Sequence, residues 1–154
     1  MRKDALVTQL LDSLPKNFSF YHLGEVQLET EAKTFLDWEY EKERLISSDQ
    51  SAVVYQLTGE VNGSVFIMLA PDLDASAYSE MGNVIVSRML EKLEELYLIQ
   101  ASLSSPRILA GKKLKETLEK LPPSIQGKVH HRTQHETISL NAFVSLIPTG
   151  GGNA

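Results

Sequence analysis

The sequence predicts an α+β protein, an antiparallel sheet packed against long helices. Two apolar, β-branched runs, AVVYQLTGEV and SVFIMLA, flank Asn62-Gly63, and Asn-Gly is the strongest short-range signal for a tight hairpin. Directly after them, Met81, Ile85, Met89, Leu93 and Leu96 recur at helical spacing and define the buried stripe of an amphipathic helix. Two further runs, GKVHHRTQH and ISLNAFVSLI, read as strands near the end of the chain.

Each element follows from local pattern. Leu6, Leu10, Leu11 and Leu14 repeat at helical spacing until Pro15, so residues 3–14 form a short helix. Leu36, Trp38 and Tyr40 alternate with Asp37, Glu39 and Glu41; a period of two predicts a half-buried edge strand, its rival being a solvated acidic helix. Pro71-Asp72 opens the long helix, with Asp72 or Asp74 as N-cap, and the helix runs from about residue 73 to 97, with Ala77 and Val84 flanking its buried stripe. Ile99 to Leu103 reads as a strand ended by Ser-Ser-Pro, and residues 107–121 start extended and become helical before Pro122-Pro123. Residues 1–148 are expected to form one domain, and the glycine-rich tail 149–154 to fray.

Composition narrows the function. A chain of 154 residues, 42% hydrophobic and 23% charged, suits one globular domain with a single core. Its net charge of −5 disfavours nucleic-acid binding, which needs a basic patch. There is no cysteine, which removes disulfides and thiolate metal sites. With neither an apolar run of membrane-spanning length nor a secretory signal, the expected address is the cytoplasm. His130 and His131 fall on opposite faces of a strand while His135 shares the face of His131, so three metal ligands do not converge. Lys112, Lys113 and Lys115 are followed by Glu116 and Glu119, the pattern of a solvated helix face. No glycine spacing fits a nucleotide loop.

The unusual stretch is SEMGNVIVS, residues 79–87, in the middle of the long helix. Glycine there costs about 1 kcal/mol against alanine. At 100° per residue, Ser76, Glu80, Asn83 and Ser87 fall within about 60° of one another, opposite the apolar stripe. Taken alone, such a stripe is an ordinary solvated face.

More than the stripe matches, however. Ser76, three residues, Glu80, two residues, Asn83, twenty-two residues and Pro106 resemble the signature of the CheC/CheX/FliY family of chemotaxis phosphatases. GEVNGSVFIM before the helix and SPRILAG after it are also similar to stretches of that family. The resemblance covers roughly residues 52–148. A second Glu-x-x-Asn is lacking, so the single-site CheX type is the better match. Family members usually carry an extra helix before the motif helix, whereas about ten residues separate Ala70 from Glu80 here.

The resemblance implies a CheX-like fold and hydrolysis of the aspartyl phosphate on a response-regulator receiver domain of the CheY type. It implies that Asn83 orients the attacking water and that Glu80 anchors the partner by pairing with its lysine. Ser76, Ser87 and Pro106 would belong to the docking surface. No cofactor of the chain's own is implied, since the Mg²⁺ is held by the receiver. Single-site relatives also suggest a homodimer, for which an edge strand at 34–40 offers a pairing surface. The alternative is a CheX-like binding module that docks or dimerises without turnover.

Overall fold

The computed structural model describes residues 3–20, 23–31, 35–47, 49–120, 125–132 and 135–148. The elements are α1 (Lys3–Ser13), β1 (Asn17–Phe20), β2 (Gly24–Glu31), α2 (Phe35–Ile46), β3 (Ser51–Gly59), β4 (Val61–Leu69), α3 (Ala75–Tyr97), β5 (Ala101–Leu103), β6 (Arg107–Ala110), α4 (Gly111–Lys120), β7 (Ile125–Arg132) and β8 (Thr137–Pro148). The strands form one eight-stranded sheet in the order β1-β2-β7-β8-β4-β3-β5, with β6 also on β3, and the paired strands run antiparallel. The α+β class read from the sequence therefore holds. The tail at 149–154 lies outside the described residues.

Alternation along β3 divides the core, because successive strand side chains face opposite ways. Val53, Tyr55 and Leu57 face α1 and α3, where they join Leu6, Leu10, Met81, Ile85, Met89 and Leu93. Ala52 and Val54 face the other way and pack with Phe66, Met68, Leu109, Leu114, Leu118, Phe143 and Leu45 beneath α2 and α4. Helix α3 thus lies on the face that carries the larger core, and its outer side is turned away from the sheet.

Three local expectations fail for identifiable reasons. Residues 35–46 are helix α2 and not an edge strand, which also removes the pairing surface expected at 34–40. Twelve residues rich in Glu, Lys, Arg and Leu favour a helix over a six-residue alternation. Glu41 pairs with Arg44 at 2.7 Å and Glu39 with Lys42 at 3.4 Å, both three residues apart, while Leu45 is buried against the α4 side.

The hairpin forms, but its turn is elsewhere. Leu57 pairs with Gly63, and β3 gives way to β4 around Glu60, so Asn62 and Gly63 lie inside β4. There they pair with Ile147 and Leu146 of β8. A Cβ on Gly63 would collide with the Ser145 carbonyl and the Leu146 side chain, so this glycine serves close strand approach. The turn uses Gly59 instead, at φ 131°, where L side chains are strained.

The third correction concerns the expected buried stripe. Met81, Ile85, Met89 and Leu93 are buried, but Val84 and Leu96 are exposed and Ala77 is half-buried. Tyr78, Gly82 and Val86 complete the face instead. The contact face is centred near Ile85 and Met89, which leaves Val84 on the far side. Leu96 points inward by helical angle, yet it is 50% exposed.

Candidate functional site

The site is built from the outer face of α3, and the depth of that face depends on what lies beneath it. Asp74 caps the helix, its carboxylate accepting from the Ser76 backbone N–H at 3.0 Å; of the two N-cap candidates, this is the one used. Ser76, Glu80 and Asn83 are exposed and Ser87 is half-buried along one side. Among the described residues, Glu80 has no ion-pair partner and the Asn83 amide has no hydrogen-bond partner. A carboxylate and an amide thus stand one turn apart on a regular helix, both open to a visiting molecule. The next charged side chain along α3, Arg88, is already engaged by Glu91 at 2.9 Å.

Pro106 lies apart from this face in sequence, in the exposed stretch between β5 and β6. Both strands pair with β3, but with registers that differ by one residue: Leu57 meets Leu103, and Val54 meets Arg107. Three residues, Ser104 to Pro106, therefore stand opposite two, Tyr55 and Gln56, as in a β-bulge. Ser104 holds the bulge by donating its N–H to the Gln56 carbonyl at 2.9 Å and accepting the Gln56 N–H on its hydroxyl at 3.1 Å. Proline suits the bulge, since it has no N–H to leave unpaired.

Gly82 now has a physical account. It faces the sheet, where a Cβ would run into the Tyr55 hydroxyl, Tyr55 Cε2 at 2.8 Å and Ile67 Cδ1 at 2.8 Å. The helix-propensity cost of glycine is offset by close packing, which brings the Tyr55 hydroxyl within 2.5 Å of the Ser79 carbonyl as a donor. Ser79 and Asn83 are the two ends of one helical rung. Burial pushes the Tyr55 hydroxyl pKa well above the tyrosine range, an effect that the Asn83 backbone N–H beside it partly opposes. Sequence reasoning missed Tyr55. The available signal was Gly82 itself, since a glycine on the apolar side of a helix marks a close approach.

A second tie fixes the start of α3. The Tyr78 hydroxyl lies 2.9 Å from His131 Nδ1, and His131 Nε2 lies 2.5 Å from the Leu23 carbonyl. A carbonyl can only accept, so Nε2 carries a proton, and in the neutral ring Nδ1 accepts from Tyr78. Burial raises the Tyr78 pKa, with Asp72 and Glu136 adding to it. His130, on the opposite face of β7, contacts Ser139 at 2.8 Å and Glu29 at 3.3 Å. His135 lies outside β7, at the bend before β8, so it does not continue the face of His131 as expected.

No protein-family model matches the chain, and no curated protein sequence matches it. Among solved structures the chain is similar to a CheC-like superfamily protein from Shewanella sp. PV-4, with 10% identity and a TM-score of 0.43, covering 94% of this chain and 99% of that one. It is also similar to the CheX-CheY-BeF3-Mg²⁺ complex from Borrelia burgdorferi, with 15% identity and a TM-score of 0.48, covering 94% of this chain and 92% of that one. Among the described residues, no helix is long and apolar enough to cross a membrane.

Proposed function

We propose that this chain is a CheX-like phosphatase that hydrolyses the aspartyl phosphate of a response-regulator receiver domain in the cytoplasm. What supports the reading is the pair on α3: Glu80 and Asn83 exposed on one face, one turn apart, their side chains without a partner among the described residues. An acyl phosphate is already reactive, so the visiting protein need only place water in line with phosphorus. An amide can accept from and donate to that water without titrating. Asn83 holds the water as its oxygen attacks phosphorus and the bond to the aspartyl oxygen breaks. The aspartate carboxylate leaves, and the water proton passes to the phosphate or to solvent.

Glu80 supplies the register. Its carboxylate meets a lysine of the receiver, and Ser76, Ser87 and the Pro106 bulge extend the docking surface. Neutralising the phosphoryl oxygens is left to the receiver's own Mg²⁺ and lysine, and the chain is expected to hold no metal of its own.

The test is phosphate release from a receiver charged with acetyl phosphate, with and without this protein. Release should accelerate with wild type, and Asn83→Ala should return it toward the receiver's own rate, a loss of about 100-fold. Glu80→Ala should weaken affinity for a beryllofluoride-loaded receiver as well as rate, and moderate salt should weaken the wild-type complex. Full activity in Asn83→Ala would defeat this assignment. The second reading, a binding module without turnover, is favoured by the short connection from β4 to α3, only residues 70–74. Tight docking without accelerated release would establish it.

A further inference from the structure

We propose that Tyr55 is a positioning residue for this site: its hydroxyl, admitted by Gly82, pins the Ser79 carbonyl and sets the depth and rotation at which the Asn83 amide stands on α3. The inference rests on the phosphatase reading for its catalytic consequence, but its geometry is independent of that reading.

Burial alone does not explain the hydroxyl. Tyr55 is fully buried among Val53, Leu57, Ile67 and Met81, surroundings that a phenylalanine ring would fill as well. Its hydroxyl donates to Ser79 at 2.5 Å, a backbone carbonyl that a regular helix already supplies with a donor from residue 83. The helix therefore does not need this bond to satisfy its own backbone. The bond instead ties one rung, the rung that carries Glu80 and ends at Asn83, to the middle of β3. Gly82 is what lets the two meet, since any larger residue would place its Cβ against the Tyr55 ring and Ile67.

The same tyrosine links the separated parts of the motif. Its strand position lies opposite the Ser104–Pro106 bulge, and its neighbour Gln56 is held there by Ser104 on both backbone groups. The bulge and the Asn83 turn are thereby tied to adjacent residues of β3, Gln56 and Tyr55. An amide that must hold water in line gains rate from fixed placement, and misplacement by about 1 Å can cost as much as 100-fold. A missing hydroxyl under an intact helix should cause a smaller displacement.

The experiment compares wild type with Tyr55→Phe, which keeps the ring. Single-turnover dephosphorylation of an acetyl-phosphate-charged receiver at saturating protein should slow by about tenfold, with affinity for the beryllofluoride-loaded receiver held within about twofold. In the free protein, the Asn83 backbone amide should exchange hydrogen faster in Tyr55→Phe. Tyr97→Phe is the control, because it removes a hydroxyl from the same helix at an exposed contact to Gln9, 2.8 Å away, and it should leave the rate unchanged. Wild-type turnover with wild-type Asn83 exchange in Tyr55→Phe would overturn the proposal. Equal losses of affinity and rate would also overturn it, by reducing the hydroxyl to a general structural role. If wild type itself fails to accelerate release, the phosphatase reading falls, and Asn83 exchange still decides whether Tyr55 holds the turn.

Discussion

The two ends of α3 are held by different means. Its amino-terminal half is tied down side chain by side chain: Asp74 at the cap, Tyr78 to His131, and Tyr55 to Ser79 through the notch at Gly82. Its carboxyl-terminal half relies on more generic devices, beside a solvent-exposed tie from the Tyr97 hydroxyl to Gln9. Arg88–Glu91 and Lys92–Glu95 are surface pairs, and the helix stops in a left-handed turn at Leu98, whose N–H returns to Glu94. Leu98 is 83% exposed with φ 57°, a position where glycine is the usual choice. The long-range ties that reach into the core gather under Glu80 and Asn83, while at the other end the tie from Tyr97 to Gln9 is solvent-exposed.

The sharpest way to break that contrast is to fill the notch. Gly82→Ala should destabilise the fold by about 1–3 kcal/mol, because the gain in helix propensity is smaller than the cost of overpacking against Tyr55 and Ile67. The shift in urea midpoint measures it, and a stabilised Gly82→Ala would show that the close approach is unnecessary.

Alkaline pH tests the same end chemically. Tyr55 and Tyr78 both have raised pKa values in the folded state, while in the unfolded chain they ionise near about 10. Their contribution to stability is therefore intact below that pH and is lost as pH rises toward the folded values. Urea midpoints should fall above pH 10, and less steeply in Tyr55→Phe. A flat profile would mean that neither hydroxyl is held as described.

At the other end the expected effects are smaller, and the first is of opposite sign. Leu98→Gly should stabilise by up to about 1 kcal/mol, since relief of left-handed strain outweighs the added freedom of the unfolded chain. Thermal melting would register a small upward shift, and a clear loss would mean that the Leu98 side chain packs usefully. Arg88→Ala should change stability by less than about 0.5 kcal/mol, as its pair with Glu91 is solvent-exposed on both sides. A larger loss there would erase the difference between the two ends.

What the sequence determined by itself was whatever repeats at short range. The apolar positions 81, 85, 89 and 93 set α3 at a period of 3.6, and Asp74 could be read among its caps. The apolar β-branched runs of β3 and β4 were legible as paired strands, and the Glu80–Asn83 spacing already placed both groups on the outer face. Tertiary structure decided matters in which local signals compete or partners lie far apart. Asn62-Gly63 would turn an isolated hairpin, yet pairing with β8 on the other side of β4 moves the turn to Glu60. Six alternating residues at 36–41 suggested a strand, but a longer run of helix formers with a buried Leu45 made α2. Strands β1 and β2 were not read, being short or rich in polar residues, and their pairing with each other and with β7 defines them. Tyr55 and Ser79 are twenty-four residues apart, so neither periodicity nor spacing announces their bond. It exists because the sheet brings β3 under α3, and Gly82 leaves room for the hydroxyl to reach the backbone.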